Sequence, residues 1–146
     1  MFFEIKQPKT EDDFKSYYQL RWKLLRAPWS QPEGSEVDDI EDQCFHLMAV
    51  DDNNEVIAVA RLHFNSTTEA QIRYMAVAEA YERQGIGREL INTMETYAGE
   101  SARRKIVLDA REPAVGFYQK LDYTVVEKSY LLFDEIQHYR MMKTIY

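Results

Sequence analysis

The chain is predicted to fold as a mixed α/β (α+β) domain, and three features of its 146 residues predict it. Three β-rich runs follow one another across short polar turns, the pattern of an antiparallel meander. Two segments place apolar residues three and four apart behind recognisable helix starts. Between the meander and the later helices, a Gly-x-Gly marks the point where the apolar period changes from 2 to 3.6. With 45% hydrophobic and 13% aromatic residues, the chain can build a core. Its length suits one domain over 1–146.

The first strand is expected over Phe2–Gln7, stopped by Pro8. Thr10-x-x-Asp13 then reads as a capping box. The helix behind it carries Phe14, Tyr17, Tyr18, Leu24 and Leu25 on one face. Arg21 falls on the same stripe, either as a snorkelling stem with a solvated head or as a guanidinium aimed into a cleft. Pro28, Pro32 and Gly34 break the pattern, so 28–42 is expected to be a loop or broken helix around Trp29. Strands follow at Phe45–Val50, Val56–Phe64 and Ala70–Val77, separated by Asp51-Asp52-Asn53-Asn54 and Asn65-Ser66-Thr67-Thr68. Ile86, Leu90, Met94 and Tyr97/Ala98 mark the next helix, which Gly99 can stop. Lys105–Asp109 reads as a strand buried on both faces. Pro113 is placed at a first helical position, ahead of an apolar face of Ala114, Phe117, Tyr118 and Leu121. Tyr123–Val126, Leu131–Phe133 and Tyr139–Ile145 are expected as closing strands.

Charge excludes some functions and suggests others. The net charge is −7, which argues against indiscriminate nucleic-acid binding, since that needs a basic face to displace phosphate counterions. No apolar run approaches the length of a membrane span, and the amino terminus lacks the form of a signal peptide. A single cysteine, Cys44, excludes an internal disulfide and a Cys-rich zinc site, and the three histidines are too scattered for ligand spacing. A cytoplasmic protein without metal, nucleic-acid or membrane partners is therefore expected. Within the chain, Gln31–Glu55 holds nine acids and no Lys or Arg, whereas Arg83–Arg111 holds six basic residues against four acids. The acidic segment is either a solvated loop or the side that receives a cationic substrate, opposite a basic side for an anionic cofactor.

The chemistry concentrates where the last meander strand meets a helix. Tyr74-Met75-Ala76-Val77 leads into Glu82-Arg83-Gln84-Gly85-Ile86-Gly87-Arg88. Glycines two apart at a helix start admit a ligand close to the backbone, and first-turn amides converge on an anion with the positive helix end behind them. Arg83 and Arg88 add groups able to pair phosphate oxygens. A P-loop would need Lys-Ser or Lys-Thr after its last glycine, and a dinucleotide fingerprint a third Gly or Ala at 90, where Leu stands.

IRYMAV-x4-ERQGIGREL, followed by KIVLDAREPAVGFYQKLDY, resembles the GCN5-related N-acetyltransferase (GNAT) superfamily over about 70–123. The resemblance implies a central, mixed, mostly antiparallel twisted sheet with helices on both faces. It also implies acetyl-CoA as co-substrate. The loop Arg83, Gln84, Gly85, Ile86, Gly87 and Arg88 would hold the pyrophosphate, Met75, Ala76 and Val77 would pair with the pantetheine amides, and Phe117-Tyr118 would put a phenol beside the sulfur. Three positions depart from the family pattern. Glu82 replaces the usual Gln or Arg, Arg111 stands where many members carry Asn, and Asp122 stands where Gly is usual. Asp tolerates the left-handed geometry of a helix end.

Acetyl transfer to an amine needs a base for the ammonium, a donor to the carbonyl oxygen and an acid for the thiolate. The resemblance assigns the acid to Tyr118 and the donor to a backbone N–H of 75–77. For the base, Glu135 and His138 are the candidates, with water as an alternative. Their odd spacing lets only one of them face inward if a strand runs through both. Arg21, Arg26 and Trp29 lie where the fold shapes its acceptor pocket, in a stretch similar to a subgroup of uncharacterised substrate. A small-molecule amine is the expected acceptor and a homodimer an allowed state. A non-catalytic acyl-CoA sensor and a protein or peptide N-acetyltransferase are the alternatives.

Overall fold

A computed structural model describes residues 2–145. Seven strands hydrogen-bond in the order β1-β2-β3-β4-β5-β7-β6. They are β1 (Glu4–Lys6), β2 (Phe45–Val50), β3 (Val56–Phe64), β4 (Glu69–Val77), β5 (Lys105–Arg111), β6 (Thr124–Leu132) and β7 (Ile136–Thr144). The helices are α1 (Glu11–Leu25), α2 (Ile86–Glu100) and α3 (Val115–Gln119). The mixed α+β architecture expected from the sequence is therefore the one observed. The chain divides into two compact units, Met1–His63 with Tyr74–Met94, and Phe64–Arg73 with Glu95–Tyr146.

In the first unit, the capping box forms as the sequence indicates. Thr10 Oγ1 accepts from the Asp13 N–H at 3.0 Å, and Asp13 Oδ2 accepts from the Thr10 N–H at 3.2 Å. β1 pairs antiparallel with β2, and β2 antiparallel with β3 from Phe45↔Leu62 to Ala49↔Ala58. The Asp-Asp-Asn-Asn turn holds because Asp51 Oδ1 accepts from the backbone N–H groups of Asn53 and Glu55. Tyr17, Met48, Val50 and Val59 form a buried cluster, with Phe14, Tyr18 and Leu20 packed against it. The expected loop over 28–42 is bounded by two single 3₁₀ turns, Ala27–Trp29 and Glu41–Gln43.

In the second unit, Glu69–Gln71 of β4 pair in parallel with Lys105–Val107 of β5. β5 and β6 each pair antiparallel with β7. Tyr123–Val126 and Leu131–Phe133 were separated by a polar stretch, yet 124–132 is one strand with register shifts at Val125/Glu127 and Lys128/Leu131. Bulges take up the extra residues, so the alternation that would have betrayed a strand is lost. β7 begins at Ile136, three residues before the expected start. α2 runs through Gly99 to Glu100, and the left-handed residue after it is Ala102 (φ 64°). Pro113 sits in a 3₁₀ turn, Glu112–Ala114, ahead of α3. Asp122 is left-handed (φ 73°), as the substitution for glycine suggests.

Candidate active site

The glycine loop lies in the first unit. Its backbone is shaped by two left-handed residues, Arg83 (φ 62°) and Gly85 (φ 86°), immediately before α2 begins at Ile86. A Cβ at Gly85 would meet nothing within 4 Å, so the requirement for glycine there is its φ rather than space. The first amides of α2 have no carbonyl within the helix to bond, and the helix dipole adds positive potential where they point. Arg83 and Arg88 are exposed beside them, as is Glu82. These donors and charges fit an anionic group. Upstream, Met75, Ala76 and Val77 are half-buried, and the Ala78 N–H donates to the Ile57 carbonyl at 2.9 Å, tying the exit of β4 to β3.

Tyr74, one residue before that segment, has φ 54° within a strand. A left-handed aromatic residue costs on the order of 1–3 kcal/mol and persists only where its surroundings impose it. Three guanidinium groups surround its ring, Arg21 at 4.4 Å, Arg61 at 4.8 Å and Arg26 at 5.5 Å from the centroid. Cation–π attraction to three cations helps hold a ring that is 8% exposed.

The arginines belong to a buried polar cluster. Arg21 and Arg61 are both 0% exposed. Glu41 Oε2 accepts from Arg21 Nη1 at 2.8 Å and from Arg61 Nη1 at 2.9 Å, and Asp38 Oδ1 accepts from Arg61 Nη1 at 2.8 Å. Arg21 Nη1 also donates to the Glu36 carbonyl and Nη2 to the Tyr17 hydroxyl. His46 Nε2 donates to the Glu41 carbonyl at 2.7 Å, and its Nδ1 lies 2.9 Å from the Tyr17 hydroxyl. Burial is the main reason that the His46 pKa falls below its usual value and that the Tyr17 phenol is pushed far up. The snorkelling reading of Arg21 is thus overturned, because its head is paired inside the unit. The solvated-loop reading of 31–55 fails for Glu36, Asp38 and Glu41, whose carboxylates or carbonyls satisfy buried donors. Arg26 Nε donates to the Ser35 carbonyl at 3.1 Å, and Trp29 is half-buried in its 3₁₀ turn. Sequence reasoning missed Glu41, Asp38 and Arg61. The signal was an arginine inside the apolar run VIAVARLHF, matched by a surplus of acids upstream.

The second unit carries the other candidates. Tyr118 is 8% exposed, and burial pushes its phenol up to about 12, with the Arg111 charge opposing. A phenol so placed keeps its proton near neutrality and is available as a donor. Phe117 beside it is exposed, with the rings edge-on at 5.0 Å. His138 lies within β7 and is 4% exposed. Its Nδ1 donates to the Ile136 carbonyl at 2.9 Å, and its ring stacks on Tyr130 at 4.4 Å. Glu135 is exposed in the turn before β7. Of the two candidate bases, one faces inward.

Residues 14–123 match the profile of the acetyltransferase (GNAT) family. The chain is 24% identical over 135 residues to the uncharacterized N-acetyltransferase YjcF of Bacillus subtilis (strain 168), covering 92% of this chain and 95% of that one. Its fold matches an acyl-CoA N-acyltransferase from Pseudomonas aeruginosa with TM-score 0.79 and 23% identity, over 97% of this chain and 98% of the other. It also matches an aminoglycoside 6'-N-acetyltransferase complexed with coenzyme A, with TM-score 0.81 and 16% identity, over 100% and 98% of the two chains. No described helix is long and apolar enough to cross a membrane. Because the profile spans the acidic segment, the glycine loop and the Phe-Tyr helix alike, the chain belongs to the acetyltransferase (GNAT) family.

Proposed function

We propose that the protein is an N-acetyltransferase that moves the acetyl group of acetyl-CoA to the primary amine of a small molecule by direct attack. The glycine loop carries this reading. Its left-handed Arg83 and Gly85 open onto unpaired amides at the start of a long helix, the arrangement a pyrophosphate requires. Arg83 and Arg88 add charge there, which offsets the repulsion of Glu82. Gln84, Ile86 and Gly87 complete the backbone of the loop, and Met75–Val77 offer peptide groups for the pantetheine amides. The co-substrate supplies an activated thioester. The amine nitrogen bonds to its carbonyl carbon, the C–S bond breaks, and Tyr118 gives its proton to the departing sulfur and regains one from the N–H that the new amide nitrogen sheds. The raised phenol pKa keeps Tyr118 protonated at neutral pH, so that it holds a proton to give. His138, with Glu135 or water as alternatives, takes the ammonium proton. The acidic segment favours a cationic acceptor, while Arg21 and Arg26 are already engaged by protein partners.

The test is release of CoA thiol from acetyl-CoA across polyamines, amino acids, aminoglycosides and short peptides, in the parent protein and in Tyr118→Phe. Turnover should fall on the order of 100-fold in the variant, while protection by CoA against thermal unfolding stays the same. No release with any amine would replace this reading by that of an acyl-CoA sensor. Release with peptides alone would make the protein a peptide N-acetyltransferase.

A further inference from the structure

We propose that Tyr123 is a positioning residue, which holds the Tyr118 phenol in place through a relay anchored on the Glu95–Lys143 ion pair. The inference rests on Tyr118 as the proton donor proposed above. All four residues lie in the second unit. α3, which carries Tyr118, is only five residues long, and so short a helix has little stability of its own. The ring it presents needs support from its surroundings. The phenol must meet the departing sulfur in one geometry, and a displacement of about 1 Å can cost on the order of 100-fold in rate.

The first link is in the backbone. The Tyr118 carbonyl accepts from the N–H groups of Leu121 at 3.0 Å and Tyr123 at 3.1 Å, and the Gln119 carbonyl accepts from the Asp122 N–H at 3.1 Å. Left-handed Asp122 (φ 73°) lets the chain reverse. The bond from Tyr123 to Tyr118, nested around that from Asp122 to Gln119, closes the helix end and brings the side chains on either side of the turn together. The Tyr118 and Tyr123 rings accordingly meet edge-on, 5.9 Å apart at 72°.

The second link is at the far end of Tyr123. Its hydroxyl donates to Glu95 Oε2, on α2, at 2.9 Å. Lys143 Nζ, on β7, donates to both Glu95 oxygens at 3.1 Å and lies 5.6 Å from the Tyr123 ring centroid. Tyr123 is 1% exposed, so without Glu95 its hydroxyl would be left buried and unpaired. The ring is tied at its backbone N–H and at its hydroxyl, which fixes the surface it turns towards Tyr118. Two other readings compete. Tyr123 could itself be the proton donor, but its proton is engaged by Glu95, and burial, then the Glu95 charge, pushes its phenol far above the usual range. Plain filling of the core is the other, and under it the hydroxyl and Glu95 would be dispensable to Tyr118.

The experiment compares the full chain with Tyr123→Phe, Glu95→Ala and Glu95→Gln, each with isotope-labelled tyrosine rings. The Tyr118 NMR signals are assigned by their loss in Tyr118→Phe, and unchanged Tyr17 signals confirm folding. In Tyr123→Phe and Glu95→Ala the Tyr118 signals should shift and the ring should flip faster. Glu95→Gln, whose amide oxygen can still accept from the Tyr123 hydroxyl, should restore the parent signals. With an amine that the thiol-release screen identifies, kcat should fall about tenfold in the first two variants at unchanged KM for acetyl-CoA. Combined with Tyr118→Phe, neither should cause a further loss. Parent-like Tyr118 signals in both Tyr123→Phe and Glu95→Ala overturn the proposal, and so does an equal change in Glu95→Gln and Glu95→Ala. A further loss of kcat in the Tyr118→Phe background overturns it as well. Full turnover in Tyr118→Phe itself would instead remove the proton-donor reading, and the NMR comparison decides the positioning without turnover.

Discussion

α1 and α2 are each 15 residues long and differ in what they bury, because α1 adds a charge to its apolar face. α1 turns Tyr17, Arg21 and Leu25 inward, one per turn of the same face. α2 turns Ile86, Leu90, Ile91, Met94 and Ala98 inward, each at most 1% exposed. The second helix is held by apolar burial, which needs only the right volume. The first is held partly by matched charges, which need specific partners at specific distances. A buried apolar row tolerates imprecision; a buried guanidinium without its carboxylate does not.

The sharpest way to break this contrast is Glu41→Ala. It would leave Arg21, 0% exposed, without its carboxylate and Arg61, also 0% exposed, with Asp38 alone. Stability should fall by about 3–5 kcal/mol in a urea titration. Replacing Arg21, Arg61 and Glu41 together by Met, Met and Leu, with Asp38→Asn, should cost far less, because no orphan charge remains. A loss below about 1 kcal/mol for Glu41→Ala would mean that the cluster behaves as a surface pair, and the contrast would fail.

On the α2 side, Leu90→Ala removes a fully buried side chain and should cost about 3 kcal/mol. No second substitution in a charged partner should rescue it. The smallest effect is one of pH. Burial, opposed by the Glu41 carbonyl hydrogen bond, holds the folded His46 pKa below 6.5, with Arg21 and Arg61 acting in the same direction and the Glu41 charge against it. Above 6.5 both folded and unfolded chains carry neutral His46, and its share of stability is intact. As pH falls below 6.5 the unfolded chain takes up the proton first, so stability declines until the folded pKa is passed. Urea midpoints between pH 7.5 and 5 should show this decline, and His46→Gln should flatten it. An equal slope in the variant would assign the effect to other groups.

Much of the fold was legible because local rules and tertiary demands agreed. Phe45–Val50 and Val56–Phe64 have the same bounds in sequence reading and structure, since Asp51-Asp52-Asn53-Asn54 has no reason to be anything but a turn. The Thr10 box and the α2 stripe were readable for the same reason. β6 was not, because its bulges suspend the period of two on which strand reading depends. The glycine loop announced itself through residue types that only a left-handed backbone or an anion explains. Tyr74 did not, since an aromatic residue in a strand normally has negative φ and only its three arginine neighbours show why this one differs.

By itself the sequence determined the family, the order of elements and the loop suited to a phosphate. Those depend on short-range spacing, which a linear chain carries in full. Its uneven charge it could only pose as a question, a solvated loop or a binding side. The tertiary structure decided that Glu41 and Asp38 neutralise Arg21 and Arg61 inside the first unit, while Asp42 stays exposed beside a cleft. The pairing joins residues 20 to 23 positions apart on separate segments. No local pattern can specify which acid meets which base, because that choice is made by the fold that brings them within 3 Å.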